Sequence, residues 1–415
     1  MELQPNESWA TVWAGSAQGP YPAGNPSAQP DQDFIIPDPV VGARDQTFRL
    51  MLRPDMWGRC ARLRFTNVFG DRVLRLESLY VGLQATAGAL ISGSNVPLRF
   101  GGNRAMDIPP GAMAWSDPVA MPAYSPLLQG RRLAVSFHVR GASGRMTWHA
   151  KALTTSYASS PGSEPCGAAE DDAAIPHTTA SWFFLDAVDM VVAKGTRVVV
   201  CLGDSITDGT LSTMNGDDTW PDVLARRLHA AHGQTFAVVN AGIGGNQVRG
   251  PEVYSLAAPM NGGPSALDRL ERDVMGLSGV AAVIWHEGIN DFGIGGANAD
   301  AVIAGMRTGV ARLRAAIPGV RVIAATLTSA RNAAQPAHAG TDVEEKRQIV
   351  NRFIRGTDIF DGIADFDAAT LDAATGSIWP VMQPNSTIGG PGDRLHPNRV
   401  GLHAMGYAID LSLLL

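Results

Sequence analysis

Four short runs of small and polar residues hold the chemistry this chain could perform. The first is Gly203-Asp204-Ser205-Ile206-Thr207-Asp208-Gly209, which follows an apolar run. A serine at a strand's carboxyl end, with a helix starting behind it, has free backbone N–H groups beside its hydroxyl. The second run is Asn240-Ala241-Gly242-Ile243-Gly244-Gly245-Asn246, whose glycines let a backbone N–H approach a substrate oxygen with no side chain in the way. Its spacing is not G-x-G-x-x-G and it does not follow the first strand, so it is not a dinucleotide fingerprint. The third, Glu287-Gly288-Ile289-Asn290-Asp291, offers a side-chain amide as a donor. The fourth, Asp393-Arg394-Leu395-His396-Pro397-Asn398, sets an acid three residues before a histidine. Taken singly, each is an ordinary turn or cap. Together, three of them close successive strands and the fourth opens the last helix.

The elements that must hold these runs follow from hydrophobic periodicity. Short β-branched runs at Val198–Leu202, Phe236–Asn240, Ala281–Glu287, Val320–Leu327 and Ile363–Phe366 alternate with helical spacing over Trp220–His232, Ala266–Leu277, Asp300–Ile317 and Val343–Arg355. Strand alternating with helix predicts a parallel sheet with helices on both faces, and ligands then sit beyond the strands' carboxyl ends. The first half has a different period. Leu133, Val135, Phe137 and Val139 alternate with Ala134, Ser136, His138 and Arg140, as in a half-buried strand. No convincing helix occurs over residues 45–155, so an all-β domain, sandwich or jelly roll, is expected there. Residues 155–180, rich in Ser, Ala, Pro and Gly, read as a long loop or linker. The domains are therefore 1–194, β-rich, and 195–415. The apolar Trp182-Phe183-Phe184-Leu185 and Val188 should pack on something, with the second domain as the expected surface.

From about residue 196 onward the chain resembles an SGNH hydrolase of the GDSL esterase family, which has four blocks built around Ser, Gly, Asn and His. The resemblance implies a flavodoxin-like three-layer α/β/α domain with a mostly parallel sheet. It implies Ser205 as nucleophile, Gly245 and Asn290 as oxyanion-hole donors with the Ser205 N–H, and His396 with Asp393 as the rest of a triad. Gly244 is adjacent and register alone decides between the two glycines. Ile206 stands where the family name has Leu. In this chemistry a serine hydroxyl becomes nucleophilic when imidazole removes its proton, and a carboxylate holds the imidazole's tautomer. Asp204 is a supporting residue that holds the turn by accepting backbone N–H bonds. No glycine stands two residues after Ser205, which disfavours the G-x-S-x-G elbow of α/β-hydrolases. The expected function is hydrolysis of carboxylic esters through an acyl-serine, on short-chain acyl esters or O-acetyl groups on carbohydrate, with no cofactor. Lipase and arylesterase are alternatives with the same mechanism.

Composition limits the partners. The 415 residues are 45% hydrophobic and 17% charged with a formal charge of -6, which gives no footprint for nucleic acid or anionic membrane. Gly 46 and Pro 27 predict many turns. No apolar run approaches the roughly 18 residues of a membrane span. Met1-Glu2-Leu3-Gln4-Pro5 lacks the pattern of a secretory signal, so the expectation is a cytoplasmic protein or an exported one whose signal is already removed. The sequence specifies no oligomeric state; the expected partner is a small-molecule or glycan ester. Cys60, Cys166 and Cys201 are too few for a disulfide framework, and Cys201 reads as core. His286 reads as a packed strand-end residue, His138, His149 and His177 as surface or structural, Asn398 as a helix cap, and Trp9, Trp13 and Trp57 as core. Two other classes stay open. Asp204, Asn290-Asp291 and His396 superficially fit a metal-dependent phosphoesterase, although no D-x-H pair precedes them. The β half could also bind polysaccharide in a non-enzymatic protein.

Overall fold

Residue patterning divides the chain in two, and so does its compactness. The computed structural model describes residues 2–23, 32–121, 128–257, 259–385 and 392–415. One unit is Met1–Thr196 with Leu256–Pro259; the other is Arg197–Ser255 with Met260–Leu415.

The first unit has no α-helix among its described residues. One sheet runs Glu7–Ala14, Leu185–Ala193, Cys60–Thr66, Val119–Ala120. A larger one runs His177–Thr179, Ser156–Ala158, Arg44–Leu52, Leu133–Ala142, Leu74–Thr86, Ala89–Leu90. Their ladders are antiparallel. Phe65 of one sheet meets Phe137 of the other edge to face, 5.6 Å between ring centroids, so the two sheets share an aromatic core.

Three expectations are corrected here. The strand Leu133–Ala142 is not half-buried: its first seven residues are buried on both faces, because it lies between Arg44–Leu52 and Leu74–Thr86. Its polar side chains are paired internally, Ser136 Oγ accepting from Arg49 Nε at 2.9 Å and His138 Nδ1 lying 3.0 Å from Thr47 Oγ1. Residues 155–180, expected as a loop or linker, carry the two short strands at the edge of the larger sheet. The buried Arg49 guanidinium ties their loop down through the carbonyls of Ala169 and Asp171. The Trp182–Leu185 segment packs within its own unit: Phe183 stacks on Trp148, Phe184 meets Phe137, and Trp182 meets Trp13. Trp13 and Trp57 are buried as expected, and Trp9 takes the Arg62 guanidinium on its face at 4.7 Å.

The second unit is built on five strands, β1 (Arg197–Gly203), β2 (Phe236–Gly242), β3 (Val280–His286), β4 (Arg321–Ala325) and β5 (Gly362–Ala364). Their order is β2-β1-β3-β4-β5 and every pairing is parallel. The long helices are α2 (Trp220–His232), α5 (Ala299–Ala316), α6 (Thr341–Gly356) and α8 (Arg399–Ala408); the short ones are α1 (Ser205–Asp208), α3 (Ala266–Leu270), α4 (Ile289–Gly293) and α7 (Phe366–Thr370). Helix α2 opens on a capping box made by Thr219 and Asp222. The stretch Ala266–Leu277, expected as one helix, is α3 followed by a π-helical turn over Glu271–Met275. Side chains alternate across the sheet. Val199, Cys201, Ile284 and Ile323 pack with Trp220 and Leu224 of α2 and Met405 of α8, whereas Trp285 points the other way, against α5 at Gly309. Helices thus cover both faces and leave the strands' carboxyl ends open for chemistry. Among the described residues no helix is long and apolar enough to cross a membrane.

Candidate active site

Three of the four runs leave the sheet from one rung. Gly203 of β1 is in register with Gly242 of β2 and His286 of β3, so Ser205, Gly245 and Asn290 stand two, three and four residues beyond a common level. Ser205 is the first residue of α1, and Asp204 caps that helix, its Oδ1 accepting from the Ile206 N–H at 2.9 Å. After β2 the chain makes a turn closed by a hydrogen bond from Asn246 N to Ile243 O, with Gly245 at φ +82°. That conformation favours glycine, and the Ile243 N–H donates to Gly203 O, which ties the turn to the end of β1.

The fourth run arrives from the last helix. Asn398 caps α8 by accepting from Val400 N and Gly401 N, and the loop before it carries Asp393 and His396. Asp393 Oδ1 accepts from the Leu395 and His396 N–H groups at 3.1 and 2.9 Å, and its Oδ2 lies 2.5 Å from His396 Nδ1. A carboxylate only accepts, so Nδ1 carries the hydrogen and Nε2 is the acceptor. Ser205 Oγ donates to that Nε2 at 2.7 Å. Burial would raise the Asp393 pKa, but the bonds to His396 and the backbone outweigh it and hold the carboxyl below its usual range. Serine, histidine and aspartate form one continuous relay.

Beneath the relay lies a buried charged cluster. Arg269 is 1% exposed and donates to Gly203 O, Ala241 O and Asn246 Oδ1, with Asp273 and Glu287 as its carboxylate partners. One guanidinium therefore fastens the ends of β1 and β2 to the turn after β2. Burial pushes Asp204 up to about 7 and Glu287 well above its usual value. Asp291 is likewise pushed up to about 6 by burial, and it accepts from the Val248 and Arg249 N–H groups at 2.8 and 3.2 Å. Among the described residues no three His, Cys, Asp or Glu side chains are grouped as a metal site requires.

Residues 201–404 match the family model of the GDSL-like lipase/acylhydrolase family. They form a GDSL-like lipase/acylhydrolase domain. Solved structures similar to the chain include a carbohydrate acetylesterase family member from Sinorhizobium meliloti, 18% identical over 52% of this chain and 99% of that one, with a TM-score of 0.39. A GDSL-like lipase from Bacteroides thetaiotaomicron is 20% identical over 54% and 90%, with a TM-score of 0.39. The aryl esterase of M. smegmatis is 16% identical over 53% and 100%, with a TM-score of 0.40. No curated protein matches the sequence.

Within the GDSL-like domain, Ser205, His396 and Asp393 are in direct contact, and Asn290 reaches the β2 turn by donating from Nδ2 to Asn246 O at 3.0 Å. His286 is a packed strand-end residue, its Nδ1 3.3 Å from Thr207 Oγ1 and its pKa pulled down to about 3 by burial. Sequence reasoning missed Arg269 and His338. Arg269 sits on a helical face with no motif around it. His338 lies in the loop after β4, and the available signal was only that this loop, too, leaves a strand's carboxyl end.

Proposed function

We propose that the protein is a serine esterase that hydrolyses carboxylic esters through an acyl-serine intermediate. The observation that carries this reading is the continuous Ser205–His396–Asp393 relay, with the hydroxyl hydrogen directed at an imidazole whose other nitrogen is held by a carboxylate. Ser205 Oγ attacks the ester carbonyl and passes its proton to His396 Nε2, while Asp393 stabilises the cation. The carbonyl oxygen becomes an oxyanion, bound by the N–H of Ser205 at the start of α1, the N–H of Gly245 and the amide of Asn290. His396 then returns the proton to the leaving alkoxide. Water repeats the sequence on the acyl-serine and releases the acid. Asp204 supports the nucleophile by holding the first turn of α1. The strand order β2-β1-β3-β4-β5 with helices on both faces supports a flavodoxin-like three-layer fold, and the facing antiparallel sheets of the first unit support a sandwich.

For substrate we infer short acyl groups, with O-acetyl groups on carbohydrate as the leading case. The reading rests on the large β unit, which supplies none of the proposed site residues and suits a bulky alcohol part. A single set of assays tests both levels. Ser205→Ala should lower kcat on short-chain p-nitrophenyl esters by at least about a thousandfold with the fold retained, and an organophosphonate should label the Ser205 peptide. An active, folded Ser205→Ala protein would overturn the serine mechanism. A panel of acyl lengths and acetylated glycans should show turnover falling as the chain lengthens.

A further inference from the structure

His338 has no place in the relay, yet its ring is 1% exposed and directed at a residue of the proposed oxyanion hole. Its Nε2 lies 3.0 Å from Asn290 Oδ1. An amide carbonyl only accepts, so Nε2 carries the hydrogen. Nδ1 is buried and has no hydrogen-bond partner among the described residues, so nothing among them draws the hydrogen to the other nitrogen. Burial, with His396 nearby, pulls the imidazole down to about 4, which keeps this neutral tautomer in place around neutrality. The Asn290 amide is thus gripped at both ends, its oxygen by His338 and one Nδ2 hydrogen by Asn246 O, leaving the second Nδ2 hydrogen for a ligand.

Packing around the ring supports the same role. Gly293 closes the short helix α4 that begins one residue before Asn290. A Cβ at Gly293 would come 2.6 Å from His338 Cδ2 and 2.9 Å from Ala337 O. The helix that carries the amide therefore has a glycine where the imidazole lies against it. An amide turned over by half a rotation would face a developing negative oxygen with its own carbonyl, losing a donor and adding repulsion.

We propose that His338 is a positioning residue that fixes which way the Asn290 amide faces, and so keeps its N–H toward the oxyanion. The proposal rests on the oxyanion role given to Asn290 above. Its test is the turnover of p-nitrophenyl acetate by His338→Ala, His338→Gln, Asn290→Ala and the His338→Ala/Asn290→Ala double variant, each checked by thermal melting. Asn290→Ala should lose about a hundredfold or more in kcat. His338→Ala should lose roughly 10- to 100-fold in kcat with KM nearly unchanged, and His338→Gln, which restores an N–H donor, should recover most of it. The double variant should be no slower than Asn290→Ala alone, because an amide that is absent needs no orientation.

A His338→Ala enzyme with wild-type kcat, or one whose loss repeats in full on the Asn290→Ala background, would overturn the proposal. If His338→Ala does not melt cooperatively, Gly293→Ala crowds the ring without removing it; the same kcat loss is expected, and unchanged kcat overturns the role. Full activity in Asn290→Ala would instead overturn the oxyanion reading itself. An impaired Asn290→Ala beside an unimpaired His338→Ala would remove only the role of His338.

Discussion

Ser205 Oγ donates to an imidazole held from behind by a carboxylate, and the cap in front of it is an acid of a different kind. Asp204 is fully buried, and burial, reinforced by Asp291 and Asp208, outweighs its bond from Ile206 N and pushes it up to about 7. Between about pH 4 and pH 7 the folded chain therefore keeps a proton at Asp204 that the unfolded chain has lost. A folded carboxyl pKa above its unfolded value makes stability fall as pH rises through that window. Asp204→Asn keeps an oxygen for the Ile206 N–H and has no proton to lose. Urea unfolding at a series of pH values should accordingly show a flatter stability curve between about pH 4 and 7 for Asp204→Asn than for the parent. Parallel curves would show that Asp204 is not the group responsible. The residues of the proposed site were legible because Ser205, Gly245, Asn290, Asp393 and His396 stand in motifs of fixed type and order. His338 was not, since a histidine in an irregular loop has no period or motif, and only its contact with Asn290 marks it.

Long elements were legible where local chemistry and tertiary packing agree. Trp220–His232 was read to the residue because its apolar positions repeat at helical spacing, and in the structure Thr219 and Asp222 cap it. The single-turn helices α4 and α7 were not, because five residues hold no period to read. The π turn over Glu271–Met275 was likewise invisible behind a continuous apolar pattern, although Asp273 within it binds Arg269 at 3.1 Å. Arg269 joins these elements. Replacing it by Met leaves Glu287 buried without its cation, leaves Asp273 with Arg272 alone, and removes the donors to Gly203 O, Ala241 O and Asn246 Oδ1. Arg269→Met should cost about 3–5 kcal/mol in denaturant unfolding, and what remains folded should turn over ester slowly because the ends of β1 and β2 have lost their common anchor. A change below about 1 kcal/mol would mean that the cluster is dispensable.

Across the whole molecule the two units answer to different sequence signals. In the first, alternation was read as one face toward water, whereas Leu133–Ala142 meets an aromatic core on one side and a hydrogen-bonded polar layer of Arg49, Ser136, Thr47 and His138 on the other. Period two reports that two faces differ; it does not report that one is wet. Every residue proposed for the chemistry belongs to the second unit. Phe137→Ala should therefore cost about 3–5 kcal/mol in the first unit and leave kcat on a small ester unchanged below the unfolding transition. A matching loss of turnover in folded protein would place first-unit residues in the chemistry. The loop Asp393–His396 has one more consequence. Acid and base sit within a single short peptide and are tied by three hydrogen bonds to Asp393, whereas the serine lies far upstream. In the gene the pair is inherited as one unit that recombination seldom splits. The loops between Ser205 and Asp393 that carry neither a strand nor a residue of the site can gain or lose insertions over evolutionary time, provided that His396 still reaches the hydroxyl.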